Sequence, residues 1–293
     1  MNHTDIEYLA NPDGSRGYAW NLYTGCNHWK TGVCPVGENC WAKSMAHRFH
    51  RSFEPILHPE KLLEPLSVKK PSRIGVCFTG DLFGDWVDPD QEVVYENKYG
   101  FTQHHLRASI FNTLKQCYQH QFFFLTKNPK GYSAWRHFPD NAYCGVSFCK
   151  SGGYTGIYAH MKELDAKHKW LSLEPLLERM PQGVLENIGL YDWCVIGAQS
   201  GRHPIMPKIE WVKEIVEACD KTKVKIWLKN NLRPLIVSNL YQCGWAVQGD
   251  GNLRQELPVR ETKLEDLEDK CPHGESLCSD CGEKCAQRKQ ECS

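Results

Sequence analysis

Gln121-Phe122-Phe123-Phe124-Leu125-Thr126-Lys127-Asn128-Pro129 is a run of large apolar side chains that breaks off at once into polar ones. It is too short for a buried helix and lacks alternation, so it reads as a strand apolar on both faces. Such strands belong to parallel sheets covered by helices. Working outward, six further runs behave alike. They are Tyr18 to Tyr23, closing on Thr24-Gly25-Cys26, and Arg73 to Phe78, closing on Thr79-Gly80-Asp81. Ala142 to Val146 closes on Ser147, and Trp170 to Leu173 on Glu174-Pro175. Trp193 to Ile196 closes on Gly197-Ala198-Gln199-Ser200-Gly201, and Val224 to Leu228 on Lys229-Asn230-Asn231.

Amphipathic stretches separate several of these strands. Leu106, Ile110, Leu114 and Cys117 share one helical face, as do Ile209, Val212, Val216 and Cys219. Strands alternating with helices over roughly 210 residues predict an α/β domain built as a complete or partial (β/α) barrel. An open doubly wound sheet is the runner-up. It normally carries a glycine-rich phosphate loop after its first strand, and here a cysteine loop stands there. A barrel gathers its chemistry at the carboxyl ends of its strands. Those ends carry Cys26, Asp81, Lys127, Ser147, Glu174, Gln199, Ser200 and Lys229. Any strand exits into polar residues, but Lys127 and Glu174 follow apolar runs directly and are the strongest single candidates.

The cysteine loop reads Cys26-x7-Cys34-x5-Cys40-Trp41. Three thiolates can hold three irons of a four-iron cluster and leave the fourth open, whereas a cluster serving electron storage takes four. The same residues also suit structural zinc completed by His28 or His47, or unliganded thiols packed as small hydrophobes.

Composition bounds these choices. The chain has 293 residues, 41% hydrophobic and 24% charged, enough for one large domain with a small appendage. Lys+Arg and Asp+Glu both number 35, so no global basic field points to nucleic acid. Arg48, Arg51, Lys69, Lys70 and Arg73 form a local basic stretch that a solvated helix face explains as well. Met1 to Ala10 is polar and no stretch reaches membrane-span length, so the expectation is a cytoplasmic protein without membrane contact. Fifteen cysteines then point to metal or cluster chemistry rather than disulfides.

The expected domains are 1–258 and a tail, 259–293. The tail loses apolar periodicity and carries Cys271, Cys278, Cys281 and Cys285, with Cys292 near its end. So short a segment needs a metal as its core, zinc or an iron–sulfur cluster, with His273 able to replace a cysteine in a zinc site. A disordered tail is the alternative.

These motifs together resemble a known family. Trp20-Asn21-x-x-Thr24-Gly25-Cys26, Cys34 and Cys40-Trp41-Ala42 resemble the signature of the three-Cys-motif proteins, which are similar to the radical S-adenosylmethionine superfamily and distantly to spore photoproduct lyase. Gly80-Asp81-Leu82-Phe83, Leu125-Thr126-Lys127-Asn128-Pro129, Gly145-Val146-Ser147, Ser172-Leu173-Glu174-Pro175-Leu176 and Ile196-Gly197-Ala198-Gln199-Ser200-Gly201 match in order. The match covers roughly residues 18 to 258. The second cysteine gap is five residues where the family commonly has two, and Gln199 stands where it has Glu.

The resemblance implies a radical-SAM-type barrel and a [4Fe-4S] cluster on Cys26, Cys34 and Cys40. S-adenosylmethionine would chelate the open iron, and an electron donor of flavodoxin or ferredoxin type would reduce the cluster. Asp81 would accept from the cofactor's ammonium, with Gly80 beside it, and Lys127 or Lys229 would pair with its carboxylate. Ser147 and Glu174 would bond the ribose, Gln199 and Ser200 would lie near the adenine, and Trp41 would stack on it or cover the cluster. The substrate class implied is a nucleobase or nucleic acid. Competing expectations are a zinc-binding module on nucleic acid, and noncanonical cleavage transferring a 3-amino-3-carboxypropyl group.

Overall fold

A computed structural model describes residues 1–258 except 33, 35, 36, 38, 39, 98, 150–153, 202, 203 and 239–242. Cys271, Cys278, Cys281, Cys285, Cys292 and His273, with the expected tail metal site, lie outside the described residues. Met1–Pro258 forms one compact unit.

All seven expected strands form. They are β2 (Tyr18–Trp20), β5 (Arg73–Val76), β8 (Gln121–Thr126), β9 (Ala142–Ser147), β10 (His168–Leu173), β11 (Trp193–Ile196) and β12 (Lys225–Leu228). They lie in that spatial order, each parallel to the next. β1 (Asn2–His3) adds an antiparallel edge beside β2, making an eight-stranded, mostly parallel sheet. The order never reverses, which excludes the doubly wound runner-up. The complete barrel is also corrected: among the described residues β12 does not pair with β1 or β2, and the sheet stays open. The free edge of β12 is taken instead by the chain near Gln255, through Leu228 N–H to Arg254 O at 2.8 Å and Glu256 N–H to Ile226 O at 2.7 Å.

Alternation along each strand divides the apolar residues between two faces. On one face Ile74, Val76, Phe122, Phe124, Cys144, Val146, Leu171 and Ile196 share a core with helices α3 (Leu106–Gln116) and α6 (Ile209–Thr222). In α6 the buried residues are Val212, Ile215, Val216 and Cys219, the spacing of one helical stripe. On the opposite face Phe123 stacks on Tyr143 at 4.7 Å, and Trp170 and Trp193 lie 5.6 Å apart. A short 3-10 turn, Glu7–Leu9, covers that aromatic face. Its Tyr8 ring lies 5.8 and 5.7 Å from Trp170 and Trp193.

Other elements interrupt the strand–helix repeat. β3 (Tyr23–Thr24) pairs with β4 (Ile56–Leu57), and α1 (His28–Thr31) and α2 (Trp41–Arg48) follow the first cysteine. A hairpin, β6 (Glu92–Asn97) and β7 (Gly100–His105), stands between β5 and α3. Remaining helices are α4 (Tyr154–Glu163), α5 (Gln182–Glu186) and α7 (Arg233–Val237). No helix among the described residues is long and apolar enough to cross a membrane.

Candidate functional site

Strand period fixes which side chains meet beyond the carboxyl ends. Residues two apart share a face, so Phe123, Tyr143, Trp170 and Trp227 are followed on the same face by Lys127, Ser147, Glu174 and Lys229. The aromatic layer therefore gives way to a polar one. There Lys127 Nζ donates to Ser147 Oγ at 3.2 Å, and Ser147 Oγ donates to the Glu174 carbonyl at 3.4 Å. Lys229 and Glu174 form an ion pair, both largely shielded from solvent. Gly197 makes room for it: a Cβ there would stand 2.9 Å from Lys229 Cδ and 3.2 Å from Glu174 Cγ.

The cysteine loop reaches this layer through a chain of backbone contacts. Gly25 bridges Gly80 beyond the β2–β5 pairing, with its N–H on Thr79 O at 3.1 Å. Its φ of +79° and the Glu54 carbonyl against its α-carbon admit only glycine. Cys26 follows, half-buried, with the His28 N–H on its sulfur at 3.4 Å. Cys34 lies after α1, its N–H on His28 O at 3.2 Å, and Cys40 caps α2.

These thiols sit close enough to act on one another. Burial, opposed by the His28 N–H and aided by Asp81, Cys34 and Cys40, pushes the Cys26 thiol up to about 12. Burial pulls Lys127 down, but Cys149, Cys34, Asp81 and Cys40 outweigh it and hold its pKa above the usual lysine value. The loop's three cysteines therefore share one neighbourhood with Asp81 and a persistent cation. Half-buried thiol donors beside a positive charge are the chemistry of iron–sulfur and of zinc sites alike. Among the described residues no group of three His, Cys, Asp or Glu side chains is arranged to hold a metal ion. His28 is not turned to the cysteines through Nε2, which donates to Asp81 at 2.9 Å, and His47 is exposed on α2.

Asp81 is more occupied than the sequence suggested. Its oxygens accept from Phe83 N–H at 3.0 Å, Thr126 Oγ1 at 2.9 Å, Lys127 N–H at 3.2 Å and His28 Nε2. A carboxylate offers about four acceptor positions, so this one is spent inside the protein. It ties α1, and with it the cysteine loop, to the end of β8. Asn128 completes the joint, donating to Phe83 O at 2.8 Å and Asp85 Oδ1 at 2.9 Å.

The remaining sequence candidates stand apart. Gln199 closes its own loop on Ile205, through N–H to O at 3.2 Å and Oε1 from N–H at 3.3 Å. Ser200 is exposed, and no hydrogen bond or ion pair among the described residues joins either to the polar layer. Trp41, the first residue of α2, is half exposed. Arg73 is not on a solvated helix face: it opens β5 and is 4% exposed. Sequence reasoning passed over Cys149. Its buried thiol donates to Glu174 O at 3.4 Å, and burial raises its pKa against the opposing charge of Lys127. Its signal was the place two residues beyond Ser147, on the same face.

No curated protein and no solved structure matches the chain. A family model does match, over residues 3–233, which spans every described residue of the cysteine loop and the polar layer, and the chain accordingly belongs to the family described as protein of unknown function (DUF5131).

Proposed function

We propose that this chain is a radical S-adenosylmethionine enzyme, with a [4Fe-4S] cluster held by Cys26, Cys34 and Cys40. The observation that carries the reading is the convergence of three loop thiols with Lys127 at the carboxyl edge of a singly wound parallel sheet. We read that sheet as an incomplete barrel, its polar layer being the mouth. When bound and reduced, the cluster supplies the electron that cleaves the cofactor's sulfonium and so begins hydrogen abstraction from a substrate.

The chain's own residues would bind and orient. Lys127, kept cationic by its neighbours, pairs with the cofactor carboxylate. Glu174 keeps its second oxygen for a ribose hydroxyl while Lys229 holds the first, and Ser147 offers a further hydroxyl. Asp81 acts as a positioning residue, through His28 and the Lys127 backbone. The aromatic layer under the mouth, sealed by Tyr8, excludes water from below. A flavodoxin- or ferredoxin-type donor in the cytoplasm would deliver the electron. Exposed Trp41, Phe49, Arg48 and Arg51 on and after α2 favour a nucleobase or nucleic-acid substrate.

Anaerobic purification with iron and sulfide analysis, followed by incubation with dithionite and S-adenosylmethionine, tests this. The expected product is 5′-deoxyadenosine; methylthioadenosine would identify 3-amino-3-carboxypropyl chemistry instead. Cys40→Ala is expected to lose the cluster and the cleavage. Full cluster content and turnover in that variant, or a colourless zinc protein, would overturn the reading.

A further inference from the structure

The open seam of the sheet holds a second feature, separate from the mouth. A cavity of about 480 Å³ lies between the Ala10–Gly14 loop and the chain around β12. Its lining includes Arg73, Asn11, Trp227, Arg233, Asp250 and Asn252, and none of the three cysteines or of Lys127, Ser147, Glu174 and Lys229.

Arg73 is the unusual member. It is buried, yet its protein contacts are all neutral: Nε donates to Gln121 Oε1 at 3.1 Å and Nη1 to Ala10 O at 2.9 Å. Among the described residues Nη2 has no acceptor and no carboxylate pairs with the guanidinium. A buried cation ordinarily has an anionic partner. Burial alone draws its pKa down to about 10, which still leaves it charged at neutral pH. The Trp227 indole N–H is sealed from solvent and faces the Glu7 carboxylate. That Glu7 carboxylate also accepts from Asn230 N–H and Gln255 Nε2. Arg233 adds a positive charge at the exposed side, where it donates to Asn252 Oδ1 at 3.4 Å. The one carboxylate in the lining, Asp250, has both oxygens bonded by Asn252 at 2.9 Å.

We propose that this cavity is a binding site for a phosphate-bearing small molecule, its oxyanion held by Arg73 and Arg233. Arginine presents paired donors matched to a phosphate, and the volume suits a small metabolite. The site does not depend on the cysteine chemistry.

Calorimetric titration of the full-length protein with inorganic phosphate and with pyrophosphate, at constant ionic strength, tests it. Saturable binding with a dissociation constant below about 1 mM is expected for at least one probe. Arg73→Gln and Arg233→Ala should each weaken it by about tenfold or more. Should Arg73→Gln fail to fold, Arg233→Ala, a change at an exposed residue, still tests the site. Absence of saturation with both probes, or affinity unchanged in any of these variants that folds, overturns the proposal.

Discussion

Single side chains settle most of the candidate site's chemistry. Lys229 and Glu174 compensate each other where little water reaches them. Removing one leaves the other shielded and unpaired, which costs more than the pair contributes. Glu174→Gln and Lys229→Met are each expected to lower stability by about 1–3 kcal/mol, with the double variant recovering most of it. Urea denaturation of the three proteins checks this; purely additive losses would refute the coupling. Asp81→Asn keeps the size but offers one acceptor oxygen to four donors. A loss of about 2–4 kcal/mol is expected, together with reduced iron content, since His28 would no longer tether the loop. The spent condition of Asp81 was not legible in the sequence. An Asp after a strand looks the same whether it faces a ligand or four internal donors, and His28, Thr126 and Phe83 become its neighbours only through folding.

At the scale of elements, strands and helices with strong periodicity were legible. β8 announces itself with Phe122, Phe123 and Phe124, and α6 with its stripe from Val212 to Cys219. The β6–β7 hairpin was not: on β6 the inward Val93 and Tyr95 are separated by an exposed Val94, and β7 has no buried residue, so the polarity of the sequence does not follow the alternation. The 3-10 turn Glu7–Leu9 was missed because three residues have no period, although Tyr8 and Leu9 are buried. Leu9→Ala is expected to cost about 2–5 kcal/mol, a core-sized loss from a polar-looking terminus, measurable by thermal unfolding. The junction between α3 and β8 gives a pH dependence. Ser72 N–H donates to His120 Nδ1 at 3.1 Å, and Nε2 meets Val68 O at 3.1 Å. Burial lowers the His120 pKa, so the folded state binds its proton less readily than the unfolded chain. The stabilisation is then complete above about pH 6.5 and is lost as pH falls towards the folded pKa, by up to about 1.4 kcal/mol per unit of separation. Denaturation midpoints between about pH 7.5 and 5.5 should fall in the wild type. His120→Gln should be less stable throughout but show a flatter slope.

For the whole molecule, the order of strands was readable and closure was not. Seven successive apolar runs specify a parallel sheet wound one way, but pairing of its two edges depends on strand tilt and stagger, which no local pattern encodes. The boundary near Pro258 follows from loss of apolar periodicity. A chain ending at Pro258 is expected to keep its melting temperature and the iron of the proposed cluster, which calorimetry and iron analysis on both lengths would check. A shortened chain that melts much earlier would mean that the final residues brace the domain. The unclosed seam carries one consequence more. A ring of strands bonded all round has a bore fixed by its ladder, whereas a sheet with a gap can dilate without breaking a rung. Here the gap is latched by Glu7 on the Asn230 amide, so its width is set by a clasp near the first residues and not by the strand count.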